Sequence, residues 1–161
     1  MNRRVLYIAP LKCAGCRNCE AACSWAKEGV MNPRKSRVRV VRRGRLVDEP
    51  IACRNCARPL CREACPKDAI LINDGNVIVD QELCIGCGAC VKACPFGAMT
   101  LHPDTGLAIN CDLCGECVEA CPVGELRIVS PDEIAADIRW HSLDRLAADM
   151  EETIMGKEFL Q

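Results

Sequence analysis

The sequence predicts an α+β fold made of small repeated units, each a cysteine loop, a short helical turn and a β-hairpin, followed by a helical tail. Three observations carry that expectation. Sixteen of the 161 residues are cysteine, whereas aromatic residues make up only 3%. The cysteines fall into four groups of four with none left over. One short apolar pattern recurs after three of those groups, the mark of an internal repeat. The hydrophobic share of 50% counts the cysteines; without them it drops to roughly 40%, below the usual apolar share of a globular chain. A core of carbon side chains alone would be thin, so something bound to sulfur has to fill it.

The groups are Cys13, Cys16, Cys19 and Cys23; Cys53, Cys56, Cys61 and Cys65; Cys84, Cys87, Cys90 and Cys94; and Cys111, Cys114, Cys117 and Cys121. Groups one, three and four read C-x2-C-x2-C-x3-C, the bacterial ferredoxin spacing for [4Fe–4S] clusters, in which three thiolates hold one cluster and the fourth reaches a neighbouring one. The spacing follows from size. A cubane spreads its iron corners farther apart than the thiolates around one zinc ion, so ligands two residues apart wrap three corners of one cluster. Zinc also takes four cysteines, but typically as two separated C-x2-C knuckles. Three such runs and a longer-looped variant in group two predict four [4Fe–4S] clusters.

In chain order, Val5-Leu6-Tyr7-Ile8 reads as a first strand. Arg3-Arg4 superficially resembles a twin-arginine export signal, but Pro10 and Lys12 interrupt the apolar stretch before it reaches Cys13. A cytoplasmic location is therefore expected, and in a reducing compartment sixteen thiols mean metal rather than disulfides. Charge is uneven: residues 1–62 carry fifteen Lys/Arg against four Asp/Glu, and residues 63–161 six against eighteen. Much of the basic excess lies in the insertion from Ser24 to Ala52, which holds Arg34, Lys35, Arg37, Arg39, Arg42, Arg43 and Arg45. Val38 and Val40 alternate with Arg37 and Arg39, as in a strand with one apolar and one cationic face. That face reads as solvated surface or as a dock for an acidic partner. Nucleic-acid binding is not expected, because aromatic interleaving is absent.

Group two departs from the others, reading C-x2-C-x4-C-x3-C with Ala57-Arg58-Pro59-Leu60 between its second and third ligands. Its sulfurs are expected to see different hydrogen bonds and solvent, two levers on a cluster's potential. Groups two, three and four are followed by Pro66, Pro95 and Pro122, each stopping a helical turn. Alternating apolar segments follow: Ile70–Ile72 and Val77–Val79 around Asp74-Gly75, and Met99–Leu101 and Leu107–Ile109 around Pro103-Asp104-Thr105-Gly106, both read as hairpins. A third segment, Leu126-Arg127-Ile128, follows group four. Gly86 and Gly88 flank Cys87 as tight-loop glycines that let backbone N–H groups approach a cluster.

The tail begins at Ser130-Pro131-Asp132-Glu133, with a Ser N-cap, Pro at the first helical position and Glu three residues after the cap. Ala136, Trp140, Leu143, Ala147, Met150 and Ile154 then form one stripe, with Gly156 as its stop. Such a stripe must dock on the core or on another subunit, with Trp140 as anchor. His102 and His141 have no identifiable partner and read as surface residues. No apolar run approaches the roughly 18 residues that would span a bilayer. No G-x-G-x-x-G, P-loop or nucleophile elbow is present. Spacing leaves open which groups pair, since the linkers between groups two and three (18 residues) and three and four (16) are similar.

The run Cys13–Cys23, with Ala26-Lys27-Glu28-Gly29-Val30-Met31-Asn32-Pro33 and Ser36-Arg37-Val38-Arg39-Val40 behind it, resembles the polyferredoxin subunits that accompany tungsten-containing aldehyde oxidoreductases. So do Cys53-Arg54-Asn55-Cys56, Pro59-Leu60-Cys61, Cys84-Ile85-Gly86-Cys87 and Cys111-Asp112-Leu113-Cys114. The pattern is shared with four-cluster subunits of molybdopterin enzymes, formate dehydrogenases and hydrogenases, and it covers residues 1–130.

The resemblance implies that group one pairs with group four, and group two with group three. The implied ligand sets are Cys13, Cys16, Cys19 and Cys121; Cys111, Cys114, Cys117 and Cys23; Cys53, Cys56, Cys61 and Cys94; and Cys84, Cys87, Cys90 and Cys65. Residues 1–130 then form a four-cluster core, with groups two and three (about 49–105) as one dicluster unit and groups one and four as the other. Residues 131–161 form a docking tail. The expected function is an electron-transfer subunit, not an enzyme on its own and without catalytic residues, passing single electrons in anaerobic metabolism. Its expected partners are a tungsten or molybdenum catalytic subunit and a second redox protein, either a flavin-containing subunit or a ferredoxin, with self-association as a further expectation. Rivals are a subunit of a hydrogenase, formate dehydrogenase or carbon monoxide dehydrogenase and, from another class, a cysteine-rich structural or nucleic-acid-binding module.

Overall fold

The computed structural model of the chain describes residues 3–8, 13–43 and 47–140. The chain divides into two compact units, residues 1–129 and 130–161. The first is a small mixed assembly of helices and strands. Its described strands form four two-stranded antiparallel sheets. β1 (Val5–Ile8) pairs with β8 (Leu126–Val129), joining the two ends of this unit. The remaining sheets are hairpins: β2 (Arg39–Arg43) with β3 (Val47–Ile51), β4 (Ile70–Asn73) with β5 (Asn76–Val79), and β6 (Thr100–Leu101) with β7 (Ala108–Ile109). At the β4–β5 turn Asp74 and Gly75 both have positive φ, 47° and 80°, which the twist of a two-residue hairpin demands. The two hairpins read from apolar alternation are therefore present, as is the strand around Val40, with Val38 and Val40 buried.

Four helices carry the cysteine loops: α1 (Asn18–Glu28), α2 (Leu60–Glu63), α3 (Ala89–Ala93) and α4 (Glu116–Glu119). Three are a single turn, because proline follows the fourth cysteine of their groups and has no N–H to extend the ladder. Cys23 is followed instead by Ser24, and α1 runs on to Gly29, whose left-handed backbone (φ 66°) closes it with a bond to the Trp25 carbonyl at 2.8 Å. α1 packs on α4, and α2 on α3. The core mixes sulfur with carbon: Cys19, Cys23, Cys53, Cys61, Cys90, Cys111 and Cys117 are buried among Leu6, Val38, Ile70, Met99 and Leu126.

Two expectations are corrected. His102 is not a surface residue; it is only 7% exposed. Its Nδ1 accepts N–H bonds from Asp104 and Thr105, both at 3.2 Å, so the proton of the neutral ring sits on Nε2, 3.3 Å from the Glu28 carboxylate. Nor is the basic insertion simply solvated. Lys35 meets Asp104 at 2.6 Å, Arg37 lies 3.6 Å from Glu28, and Arg42 binds Asp48 through two bonds of 3.0 Å.

In the second unit residues 131–140 are helical. The Glu133 N–H donates to Ser130 Oγ at 3.3 Å and the Ser130 N–H donates to Glu133 Oε2 at 2.5 Å, the reciprocal pair of a capping box. His141, the stripe positions Leu143, Ala147, Met150 and Ile154, and the expected stop at Gly156 lie outside the described residues. Among the described residues no helix is long and apolar enough to cross a membrane.

Candidate metal centre

Each cysteine loop is shaped by one backbone choice. The residue just before the second cysteine is left-handed in all four groups: Gly15 (φ 66°), Asn55 (43°), Gly86 (67°) and Leu113 (62°). This conformation turns the residue's own N–H back toward the first cysteine. The Gly15 N–H reaches Cys13 Sγ at 3.4 Å, and the backbone groups of Asn55 and Leu113 bond to Cys53 and Cys111. At Gly86 a side chain is excluded as well, since a Cβ there would lie 2.5 Å from the Gly106 carbonyl oxygen. A second left-handed residue, Arg17, Gly88 or Gly115, starts the helix in groups one, three and four. Group two has Pro59 there, with φ −78°, because its two extra residues carry the chain around by another route. Leu113 and Arg17 escape recognition from sequence, since neither residue type announces a left-handed backbone.

These turns give the four cysteines of a run distinct environments. The third is buried in every group and faces inward from the first turn of a helix: Cys19, Cys61, Cys90 and Cys117. Burial pushes the Cys19 and Cys61 thiols up to about 11 and Cys117 up to about 12, and raises Cys90 as well. Cys111, a first cysteine, is also pushed up to about 12 by burial. The second cysteine faces outward: Cys16, Cys87 and Cys114 are exposed, while Cys56 of group two is half-buried. Further backbone donors reach the fourth and first positions, from Arg37 to Cys23 (3.3 Å), Ala98 to Cys94 (3.4 Å) and Ala108 to Cys84 (3.4 Å).

Sulfurs from different groups surround common cavities. One, of about 340 Å³ including space open to solvent, is lined by Cys84, Cys87 and Cys90 together with Cys65. Another, of about 310 Å³, is lined by Cys111, Cys114 and Cys117 together with Cys23. Around Cys61 the nearby thiols are Cys53, Cys56 and Cys94, and beside Cys19 stand Cys13 and Cys16. The donor chemistry suits a cationic iron–sulfur core. All sixteen thiols are free, and a buried thiolate is tolerable only where positive metal charge and N–H donors offset its desolvation. Among the described residues no His, Cys, Asp or Glu side chains converge as ligands of a single ion.

Comparison with known proteins agrees. Family models described as 4Fe-4S binding domains match residues 10–29, 77–100 and 111–125, the stretches that hold groups one, three and four. The polyferredoxin-like subunit of aliphatic sulfonate oxidoreductase from Pyrococcus furiosus is 41% identical over 110 residues, 67% of this chain and 64% of that protein. A tetrathionate reductase subunit from Archaeoglobus fulgidus is 39% identical over 113 residues, covering 68% of this chain and 55% of its own length. YsaA of Escherichia coli K12, named for electron transport, is 38% identical over 122 residues, 70% of this chain and 76% of that protein. The chain thus spans less than two thirds of the first two relatives. Its cofactors are [4Fe–4S] clusters, and the chain belongs to the family of ferredoxin-like iron–sulfur subunits that carry electrons in oxidoreductase complexes.

Proposed function

We propose that the chain holds four clusters in a row and relays single electrons between a tungsten- or molybdenum-containing catalytic subunit and a second redox partner, a flavin-containing subunit or a ferredoxin. The ligand sets are Cys13, Cys16, Cys19 and Cys121; Cys23, Cys111, Cys114 and Cys117; Cys53, Cys56, Cys61 and Cys94; and Cys65, Cys84, Cys87 and Cys90. The carrying observation is that two cavities are each lined by three cysteines of one run and the fourth of another. The neighbours of Cys61 support the third set, and the packing of α1 on α4 supports placing Cys121 with the first. Residues 1–130 are then two dicluster units, groups one and four in one and groups two and three (about 49–105) in the other, with residues 131–161 as a docking tail.

A row is favoured over a ring by the contacts between these units. Cys23 and Cys53 both lie near enough to the Cys111 thiol to raise it, which supports a meeting of the two middle sets at Cys111 and Cys53. The exposed Cys16 and Cys87 of the outer sets, like Cys114 of a middle set, lie where partners can approach. When bound, each cluster takes up and gives back one electron; the protein supplies spacing, N–H donors and shielding from water.

Anaerobically purified protein is expected to be brown, to contain about sixteen irons per chain, and to give paramagnetic signals on reduction. Colourless protein with stoichiometric zinc would refute the reading. The partner is identified by the metal in the large subunit that co-purifies. Tungsten supports an aldehyde oxidoreductase, molybdenum a formate dehydrogenase type, and nickel a hydrogenase or carbon monoxide dehydrogenase. A cytoplasmic, anaerobic setting fits a chain whose sixteen thiols are all free.

A further inference from the structure

One cationic side chain stands in the wall of a sulfur-lined cavity without belonging to the cysteine pattern. Arg37 borders the cavity of Cys23, Cys111, Cys114 and Cys117, and its own N–H reaches Cys23 Sγ at 3.3 Å. The backbone is held on both sides of it. Ser36 is fully buried and Val38 only 1% exposed, and the Ser36 hydroxyl donates to the Val38 carbonyl at 2.6 Å. The Arg37 side chain is 19% exposed, and its Nη1 is buried with no hydrogen-bond partner among the described residues. A guanidinium so placed is costly unless negative charge stands near it. Glu28, 3.6 Å from Nη2, supplies part of that charge from the far side. Glu28 and His102 line a second, polar cavity of about 740 Å³ including space open to solvent, and Arg37 and Asp112 belong to the walls of both cavities. Asp112 is engaged by Lys27 at 2.6 Å, which leaves Arg37 as the buried cation on the sulfur side.

We propose that Arg37 sets the reduction potential of the cluster held by Cys23, Cys111, Cys114 and Cys117, making it easier to reduce than it would be without the guanidinium. The physical basis is charge. A cluster with four thiolates is already negative, and reduction adds one electron from the redox partner proposed above. A fixed positive charge in the cavity wall stabilises the more negative form, and because arginine stays protonated it does so at any working pH. Burial is what gives the charge its reach. The cavity of Cys65, Cys84, Cys87 and Cys90 has Lys67 in its wall, but Lys67 is exposed and water screens it. Glu28 has the opposite sign and limits the effect of Arg37 rather than adding to it. This inference rests on the ligand sets proposed above.

The test compares the full-length protein loaded with clusters with Arg37→Gln, Arg37→Lys and Glu28→Gln. All three keep the backbone N–H that reaches Cys23, so side-chain charge is what varies. Iron is counted first, then each midpoint potential is read by titration with dithionite and paramagnetic detection. Arg37→Gln is expected to keep about sixteen irons and to move one of the four potentials downward by about 59 mV, a tenfold shift in one-electron equilibrium. Arg37→Lys should restore most of that loss. Glu28→Gln leaves the guanidinium less neutralised and should move the same potential upward, an opposite sign that a merely structural role would not produce. Four unchanged potentials in Arg37→Gln at full iron would overturn the inference and leave the ligand sets standing, as would equal drops in the Gln and Lys variants. If Arg37→Gln failed to load iron, Glu28→Gln would decide: an upward shift upholds the inference and unchanged potentials overturn it. A wild-type protein without four clusters would instead sink the ligand sets themselves.

Discussion

The first cysteine run and the other three begin alike and end differently. All four use a left-handed residue before the second cysteine and bury the third. In groups two to four, proline after the fourth cysteine ends the helix within one turn. In group one Ser24 takes that place, and α1 runs to eleven residues in all. The extra turns matter because they reach across the fold. Lys27 meets Asp112 at 2.6 Å, and Glu28 lies 3.3 Å from His102 and 3.6 Å from Arg37. One residue type after the fourth cysteine thus decides whether a loop is closed locally or sends a helix to brace the neighbouring loops.

What the four groups share is tested most severely by removing iron. In the stripped chain the buried thiols stay protonated well above their usual value of 9.0. An unfolded chain ionises them near that value, so thiols raised to about 11 and 12 stabilise the metal-free fold fully below pH 9 and progressively less as pH rises toward 12. On the proposed ligand sets the same sulfurs are thiolates on iron in the loaded protein, and protons compete with the metal, so its stability should fall as pH is lowered. Anaerobic unfolding curves with and without clusters should therefore slope in opposite directions with pH. Parallel slopes would mean these sulfurs are not ligands.

The difference between the runs is broken most directly by Ser24→Pro, which gives group one the proline of the others. A proline inside a helix costs about 3 kcal/mol or more. This one also removes the hydroxyl that accepts the Asn32 N–H at 3.1 Å. Urea unfolding should show the loss, and iron should fall in the clusters bordered by α1. Full stability would show that α1 need not extend beyond Cys23. Glu20→Ala probes the start of the same helix. Glu20 is 3% exposed and accepts the Val40 N–H at 2.6 Å, tying α1 to the insertion. Leaving that buried donor without an acceptor should cost about 1–3 kcal/mol, read from urea unfolding.

A smaller change sharpens the shared part. Gly86→Ala places a Cβ on a left-handed backbone, at a cost of about 1–2 kcal/mol, and against the Gly106 carbonyl oxygen at 2.5 Å. Leu113 at the equivalent position already bears the backbone part of that cost. Gly86→Ala should lower the melting temperature while Leu113→Asn, better suited to φ 62°, should lower it less than loss of a half-buried leucine alone implies.

These contrasts explain what could be read from residues alone. The cysteine loops, the hairpins around Asp74-Gly75 and Pro103–Gly106, the strand at Val40 and the cap at Ser130 were legible, because each depends on local spacing or on a residue type with one preferred backbone. The pairing of β1 with β8 was not, since the partners are some 120 residues apart and a lone alternating segment names no mate. His102 was misread for the same reason: its partners are backbone groups in a turn and a carboxylate on α1, and a histidine between a strand and a Pro-Asp turn carries no mark of burial. The length of α1 was implicit in the missing proline, but only by comparison with the other groups.

The least effect is expected from the exposed charges, and it decides what holds the insertion in place. Lys35 at 2.6 Å holds the Asp104 carboxyl below its usual value, yet Asp104 is 63% exposed. Solvent and salt screen such a pair, and ordering two long side chains offsets most of its attraction. Asp104→Asn should therefore leave the unfolding midpoint where it was at physiological salt. Glu28→Gln acts on a carboxylate only 22% exposed that faces both Arg37 and His102, so it should lower the midpoint measurably. If Asp104→Asn proved as damaging as Glu28→Gln, surface ion pairs rather than the length and burial of α1 would be what braces the first run against its neighbours.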